Sequence, residues 1–256
     1  MTSARSRAFH ADAAFDKLAM PLDGEAALLA PAAAEFRARH RFLRTLCCDT
    51  WRGARPTVLD VGCGTGLDLV ALSPFIAQGV GIDFSAPMIR QARAAAARRA
   101  CLNLRFAVGD AIAFTVLPEA GAEALPQRFD LILLAGVLEH LGDPRRVLAT
   151  CRRRLAGGGR LVIVTPHRRS PALLLERWRA LRLGVAPERH LTPAELRHLA
   201  RRAGLEQAAF QPLPYLAPLR PPPSPWIGRA MKALTRLPLS ALRGAFAMVL
   251  RPSVRA

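Results

Sequence analysis

An apolar run that ends in an acid and then in three alternating glycines, Pro56-Thr57-Val58-Leu59-Asp60-Val61-Gly62-Cys63-Gly64-Thr65-Gly66, constrains this chain more than any other stretch. Val58, Leu59 and Val61 suit a buried parallel strand, and Gly62, Gly64 and Gly66 lack the Cβ that would hold a ligand off the backbone. A second apolar run, Gly79-Val80-Gly81-Ile82, ends in Asp83, seventeen residues beyond Gly66. An acid at that distance, at the tip of the neighbouring strand, is placed to bind both hydroxyls of a ribose. A nicotinamide dinucleotide site would want G-x-G-x-x-G, so that a pyrophosphate rests on a helix N-terminus. The spacing here is G-x-G-x-G.

Strand-like runs recur with helical stretches between them, the alternation that builds a parallel sheet covered on both faces. The pattern predicts strands near 56–61, 78–83, 104–109, 129–134, 160–165, 205–212 and 245–250. Ser85 is positioned to cap a helix running to about Arg99, and Asp143-Pro144 to start one that ends at Gly157-Gly158-Gly159. Thr192-Pro193-Ala194-Glu195 reads as a capping box, and Gly204 as the stop of its helix. Residues 10–50 read as helical, most firmly from Ala32 to Leu46.

Taken together, Val58 to Gly66, Gly81-Ile82-Asp83-Phe84-Ser85-Ala86-Pro87-Met88, Gly109-Asp110-Ala111, Phe129-Asp130-Leu131-Ile132 and Leu138-Glu139-His140-Leu141 make the chain resemble the class I S-adenosylmethionine-dependent methyltransferases. The likeness is to the bacterial small-molecule group typified by ubiquinone and menaquinone methyltransferases, and it spans roughly residues 56 to 166. It implies an α/β, Rossmann-like three-layer sandwich with a mostly parallel seven-stranded sheet, its last strand antiparallel. It also implies a division into an N-terminal helical lid (1–50), a cofactor-binding core (51–212), a Pro-rich basic helical insertion (213–244) and a final core strand with a tail (245–256).

The resemblance further implies S-adenosylmethionine as cofactor and assigns residues to it. Gly62, Gly64 and Gly66 would pass under the methionine portion, Asp60 would meet its ammonium, and Asp83 would accept from the ribose hydroxyls. Met88 would pack on the adenine face, Asp110 would accept from the adenine amino group, and the backbone of Ala111 would serve the ring nitrogen. Cys63, Phe84 and Ala135 complete the expected contacts. Each has a plainer reading beside it: loop cap for Asp60, core packing for Met88, strand-end acid for Asp110. Methyl transfer needs alignment above all, and an acceptor hydroxyl also needs somewhere to send its proton. His140, just past the fourth predicted strand, is the candidate base, with pocket shaping as its rival role, and His190 is a candidate substrate contact. No metal is implied, because no convergent set of oxygen ligands is visible.

Composition bears on the acceptor and the partners. Lys plus Arg number 37 against 19 acids, a formal net charge of +18 that points toward nucleic acid or anionic lipid. The only lysines are Lys17 and Lys232, and an arginine- and alanine-heavy chain is also what a GC-rich genome writes onto neutral surface positions. The five cysteines form no C-x-x-C pair and fit a reduced cytoplasm. The N-terminus lacks a signal-peptide core, and no apolar run reaches membrane-spanning length. The expectation is therefore a cytoplasmic enzyme with a small, apolar oxygen or carbon acceptor, Trp178, Leu173 to Leu175, Trp226 and the apolar 237–250 region being either pocket lining or core. Two alternatives stand beside it. One is an RNA methyltransferase, although the chain reads Leu134-Ala135-Gly136-Val137 where an Asn-Pro-Pro-Tyr-like motif would fall. The other is a catalytically weak, membrane-peripheral protein, whose segment from Trp226 sets Arg229, Lys232 and Arg236 opposite Ile227, Met231 and Leu234. The oligomeric state is left open.

Overall fold

A computed structural model describes residues 31–110, 115–116, 126–182, 190–214 and 244–253. Helix α1 (Pro31–Thr50) leads into strand β1 (Thr57–Val61), followed by α2 (Leu67–Leu72), β2 (Gln78–Asp83), α3 (Ala86–Arg98), β3 (Leu104–Asp110) and β4 (Thr115–Val116). The chain continues through β5 (Phe129–Ala135), a 3-10 turn (Leu138–His140), α4 (Pro144–Arg154) and β6 (Leu155–Pro166). It closes with α5 (Pro171–Arg182), α6 (Pro193–Arg202), β7 (Leu205–Pro214) and β8 (Gly244–Pro252).

The strands form one sheet in the order β4-β3-β2-β1-β5-β6-β8-β7. β1, β2, β3, β5 and β6 pair in parallel, whereas β8 lies antiparallel between β6 and β7. All seven expected strands are present, and the last is the reversed one. The short β4, antiparallel to the end of β3, is an addition that two residues of pattern could not announce. Alternation along the buried strands separates two cores. Leu59, Val61, Val80, Ile82, Ile132 and Ile163 face α4 and α6, while Val58, Leu131, Leu133 and Val162 face α1, α2 and α3 through Leu43, Leu69 and Ile89. Burial on both faces is what makes these strands read as continuous apolar runs.

The helix starts follow their caps. Ser85 Oγ accepts from Met88 N at 3.4 Å, Asp143 Oδ1 accepts from the amides of Arg145 and Arg146, and Thr192 and Glu195 form a complete capping box. One helix end differs from expectation. α4 stops at Arg154, and Leu155 already pairs with Phe129 in the sheet. The register between β5 and β6 then shifts, so that Leu131 pairs with Arg160. Gly157-Gly158-Gly159 therefore forms a bulge inside the entry to β6 rather than a helix stop, and only Gly158 of the three is left-handed, at φ +79°. The stretch Ala245 to Leu250 is buried core strand and not pocket lining. The segments expected to carry the N-terminal half of the lid and most of the Pro-rich basic insertion, with Trp226, lie outside the described residues. Among those described, no helix is long and apolar enough to cross a membrane.

Candidate active site

Strand order reverses between β1 and β5, because β2 and β3 extend the sheet to one side of β1 and β5 and β6 to the other. Ligands of open α/β sheets sit outside the carboxyl ends of the strands at such a switch point. The loops that leave those ends here are Gly62–Gly66 after β1, Phe84-Ser85 after β2, Gly136–His140 after β5 and His167–Ser170 after β6.

Asp83, the last residue of β2, ties two of these loops together. Its Oδ2 accepts from Gly64 N at 2.8 Å and its Oδ1 from Ser85 N at 2.9 Å. Burial holds the Asp83 carboxyl above the usual carboxylate range, against the backbone N–H groups of Ser85, Gly64 and Phe84 that pull it down. Both oxygens accept from loop amides, and three such donors do not fill a carboxylate's roughly four acceptor sites, which leaves capacity for a ligand hydroxyl.

The three glycines are left-handed, at φ +72° for Gly62, +52° for Gly64 and +73° for Gly66, but only one of them leaves room for a ligand. A Cβ on Gly62 would come within 2.5 Å of Val137, and one on Gly66 within 2.6 Å of the Phe106 ring. Those two let the protein pack on itself, Gly62 joining the β1 loop to the β5 loop. A Cβ on Gly64 would meet nothing within 4 Å. The expectation that all three glycines clear space for a ligand thus narrows to Gly64.

Beneath the loop lies a buried group of acids. Asp60 is 1% exposed, and burial, reinforced by Asp68 and Asp83, pushes its carboxyl well above the ordinary range while Arg39 opposes the shift. Asp68, in the first turn of α2, answers differently. Burial would raise it, but Arg39 Nε at 3.0 Å and His40 Nε2 at 2.6 Å bring it down to about 2. α1 is thereby fastened to the helix that follows the glycine loop. Asp68, Arg39 and His40 were not legible as site residues, because their meeting depends on how α1 docks.

Phe84 follows Asp83 and is 49% exposed, unusual for a phenylalanine, and Met88 is half-buried one turn into α3. Asp110, at the end of β3, is exposed, whereas Ala111 lies outside the described residues. Ala135 ends β5 opposite Val164. Cys63 donates its amide to Ile82 O at 3.0 Å, and its thiol is pushed far up by burial and the neighbouring Asp60 and Asp83, so it offers backbone and no nucleophile. Asp130, within one of the motifs read above, sits at the other end of the sheet, where it accepts from the amide and hydroxyl of Thr57, both at 2.8 Å.

On the β5–β6 side, His140 is exposed on the 3-10 turn, and Glu139 accepts from the buried Thr165 hydroxyl at 3.2 Å. His190 is 6% exposed, and its segment is drawn to the β6 loop by the Arg168 N to Leu191 O bond at 3.4 Å. His167, 8% exposed, joins them directly after β6. It carries the same signal in the sequence as His140, a histidine just past a predicted strand end. Leu173 is buried in the core, whereas Leu174 and Trp178 are about half exposed on α5, at 53% and 51%.

The methyltransferase domain family matches residues 31–209, which is most of the chain and takes in every loop just described. The ubiquinone biosynthesis O-methyltransferase of Thiobacillus denitrificans is 32% identical over 166 residues, 62% of this chain and 68% of that protein. The enzyme of the same name from Serratia proteamaculans is 34% identical over 119 residues, where the chain spans 46% of that protein's length. Among solved structures, the magnesium protoporphyrin IX methyltransferase of Synechocystis PCC 6803, with bound SAH, superposes at a TM-score of 0.62 over 86% of this chain and 84% of that one. Its 13% identity makes that a likeness of fold alone. The chain belongs to the methyltransferase domain family, as a class I enzyme whose cofactor is S-adenosylmethionine.

Proposed function

We propose that this protein methylates an oxygen of a small, apolar acceptor, a quinone precursor or a similar lipid-like phenol, and that the loops at the carboxyl ends of β1, β2 and β5 form its site. The observation that carries the cofactor half of this reading is the Asp83 carboxylate, which accepts loop amides on both oxygens and keeps acceptor capacity for a ligand hydroxyl. When bound, S-adenosylmethionine supplies an electrophilic methyl on a sulfonium. Asp83 holds the ribose hydroxyls, Gly64 lets the methionine portion lie against the backbone, and Asp60 meets the ammonium. Phe84 and Met88 enclose the adenine, whose amino group Asp110 receives. α1, clasped through Asp68, closes over the methionine end as a lid.

The acceptor half rests on the names of the relatives and on the chemistry of the β5–β6 side. His140 takes the proton of the acceptor hydroxyl, leaving that oxygen with a lone pair for attack. RNA as acceptor draws support from the net charge of +18 and from exposed Arg153, Arg201 and Arg202. Those arginines, however, close the last turns of α4 and α6, and helices that return between parallel strands end at the strands' amino ends, opposite the site. Isotopically labelled S-adenosylmethionine, incubated with the protein and a cell extract and followed by mass spectrometry, tests the acceptor. Label in a phenolic or quinone-like lipid is expected; label in RNA would contradict the reading.

A further inference from the structure

We infer that His167 is a specificity-determining contact that donates a hydrogen bond from Nε2 to the acceptor's oxygen, so that the two histidines divide the work: His140 receives a proton and His167 gives a hydrogen bond. This deepens the proposed function and rests on its acceptor class.

Geometry sets the direction of the bond. The ring's Nδ1 accepts from Arg169 N at 3.1 Å, and a backbone N–H can only donate. In the neutral ring the proton must therefore sit on Nε2, which makes Nε2 a donor, and the lone pair of Nδ1 is occupied by Arg169 N. Burial, with Arg169 and Arg168 nearby, lowers the tendency of this ring to take up a second proton. Nε2 makes no hydrogen bond among the described residues, and its N–H is not sealed in the core, so an incoming atom can reach it. A donor whose direction is fixed by its ring and that is open to an incoming atom suits a ligand oxygen.

Position points the same way. Pairing with β8 continues one bond past the end of β6, from His167 N to Gly244 O at 2.7 Å, so the strand alternation extends to residue 167. His167 thus shares a face with Thr165, whose hydroxyl binds Glu139, the neighbour of His140. Phe246 fixes the ring edge-on at 5.9 Å between centroids, and Arg169 N fixes its rotation. Such support on two sides is what an orienting contact requires.

The test uses 4-tert-butylcatechol, an apolar diphenol, titrated into the full chain saturated with S-adenosylhomocysteine. His167→Leu should weaken diphenol binding about tenfold or more, because it removes the donor. His167→Gln, which keeps an N–H near the Nε2 position, should hold it within about threefold of wild type. S-adenosylhomocysteine should bind all three alike, which also reports that the variants are folded. In labelled wild-type protein, the ring carbon and nitrogen shifts of His167 at neutral pH should be those of the Nε2–H tautomer. Equal diphenol binding by wild type and His167→Leu, or the other tautomer, would overturn this assignment alone. A wild-type protein that binds cofactor product but ignores the diphenol would remove the acceptor class, and this contact with it.

Discussion

The amide of Gly64 donates to Asp83 Oδ2 at 2.8 Å, so the residue that gives the glycine loop its open side is held by the acid that closes β2. Loop shape therefore depends on this carboxylate, and so does ribose recognition in the proposed function. Asp83→Ala should weaken S-adenosylhomocysteine binding by about 1–3 kcal/mol, the cost of stranding hydrogen-bonding groups. Calorimetric titration of both proteins reads this directly, and unchanged affinity would contradict the assignment.

Gly64 and Gly66 should part company on replacement. Gly66→Ala combines a left-handed backbone with a Cβ 2.6 Å from the Phe106 ring, and should cost about 2–5 kcal/mol of stability. Gly64→Ala meets nothing within 4 Å and should cost only about 1–2 kcal/mol of backbone strain, yet weaken cofactor binding, since its methyl would enter the space that the proposed function gives to the methionine portion. Denaturant unfolding together with cofactor titration separates the two, and equal stabilities would contradict the packing account.

Asp60 should couple cofactor binding to proton release. Burial and the adjacent Asp68 and Asp83 favour its protonated form, and a bound ammonium would favour the carboxylate. Because the folded value is raised, the free protein holds an extra proton above the ordinary range and loses that stability as pH rises through the raised value. Affinity for S-adenosylhomocysteine should therefore climb with pH over the same window. Titrations in buffers of different ionisation heat should show proton release in wild type and none in Asp60→Asn; equal release in both would exclude Asp60.

The clasp on α1 carries the opposite sign. Asp68 falls from 3.8 to about 2, so its contribution of about 2 kcal/mol is complete above pH 3.8 and disappears as pH falls toward 2. Asp68→Asn should be less stable than wild type by about that amount at neutral pH, and the gap should narrow in acid. Urea unfolding at both pH values checks it; a gap independent of pH would assign the loss to packing instead.

What was readable in the sequence is what depends on local pattern. β1 and β2 announce themselves because strands buried on both faces are apolar nearly throughout, and Ser85, Asp143 and Thr192 mark helix starts because a cap is satisfied within three residues. The end of α4 was misplaced because three glycines look alike in a turn and in a bulge, and only pairing with β5 tells them apart. The different duties of Gly62, Gly64 and Gly66 depend on Val137 and Phe106, far along the chain. The Asp68 clasp depends on a tertiary contact that no spacing encodes.

A crystal structure of the chain with S-adenosylhomocysteine bears most directly on the cradle formed by Asp83 and Gly64. Both ribose hydroxyls should lie within hydrogen-bonding distance of Asp83, one on each oxygen, with the homocysteine portion against Gly64. A nucleoside bound with its ribose away from Asp83 would contradict the account.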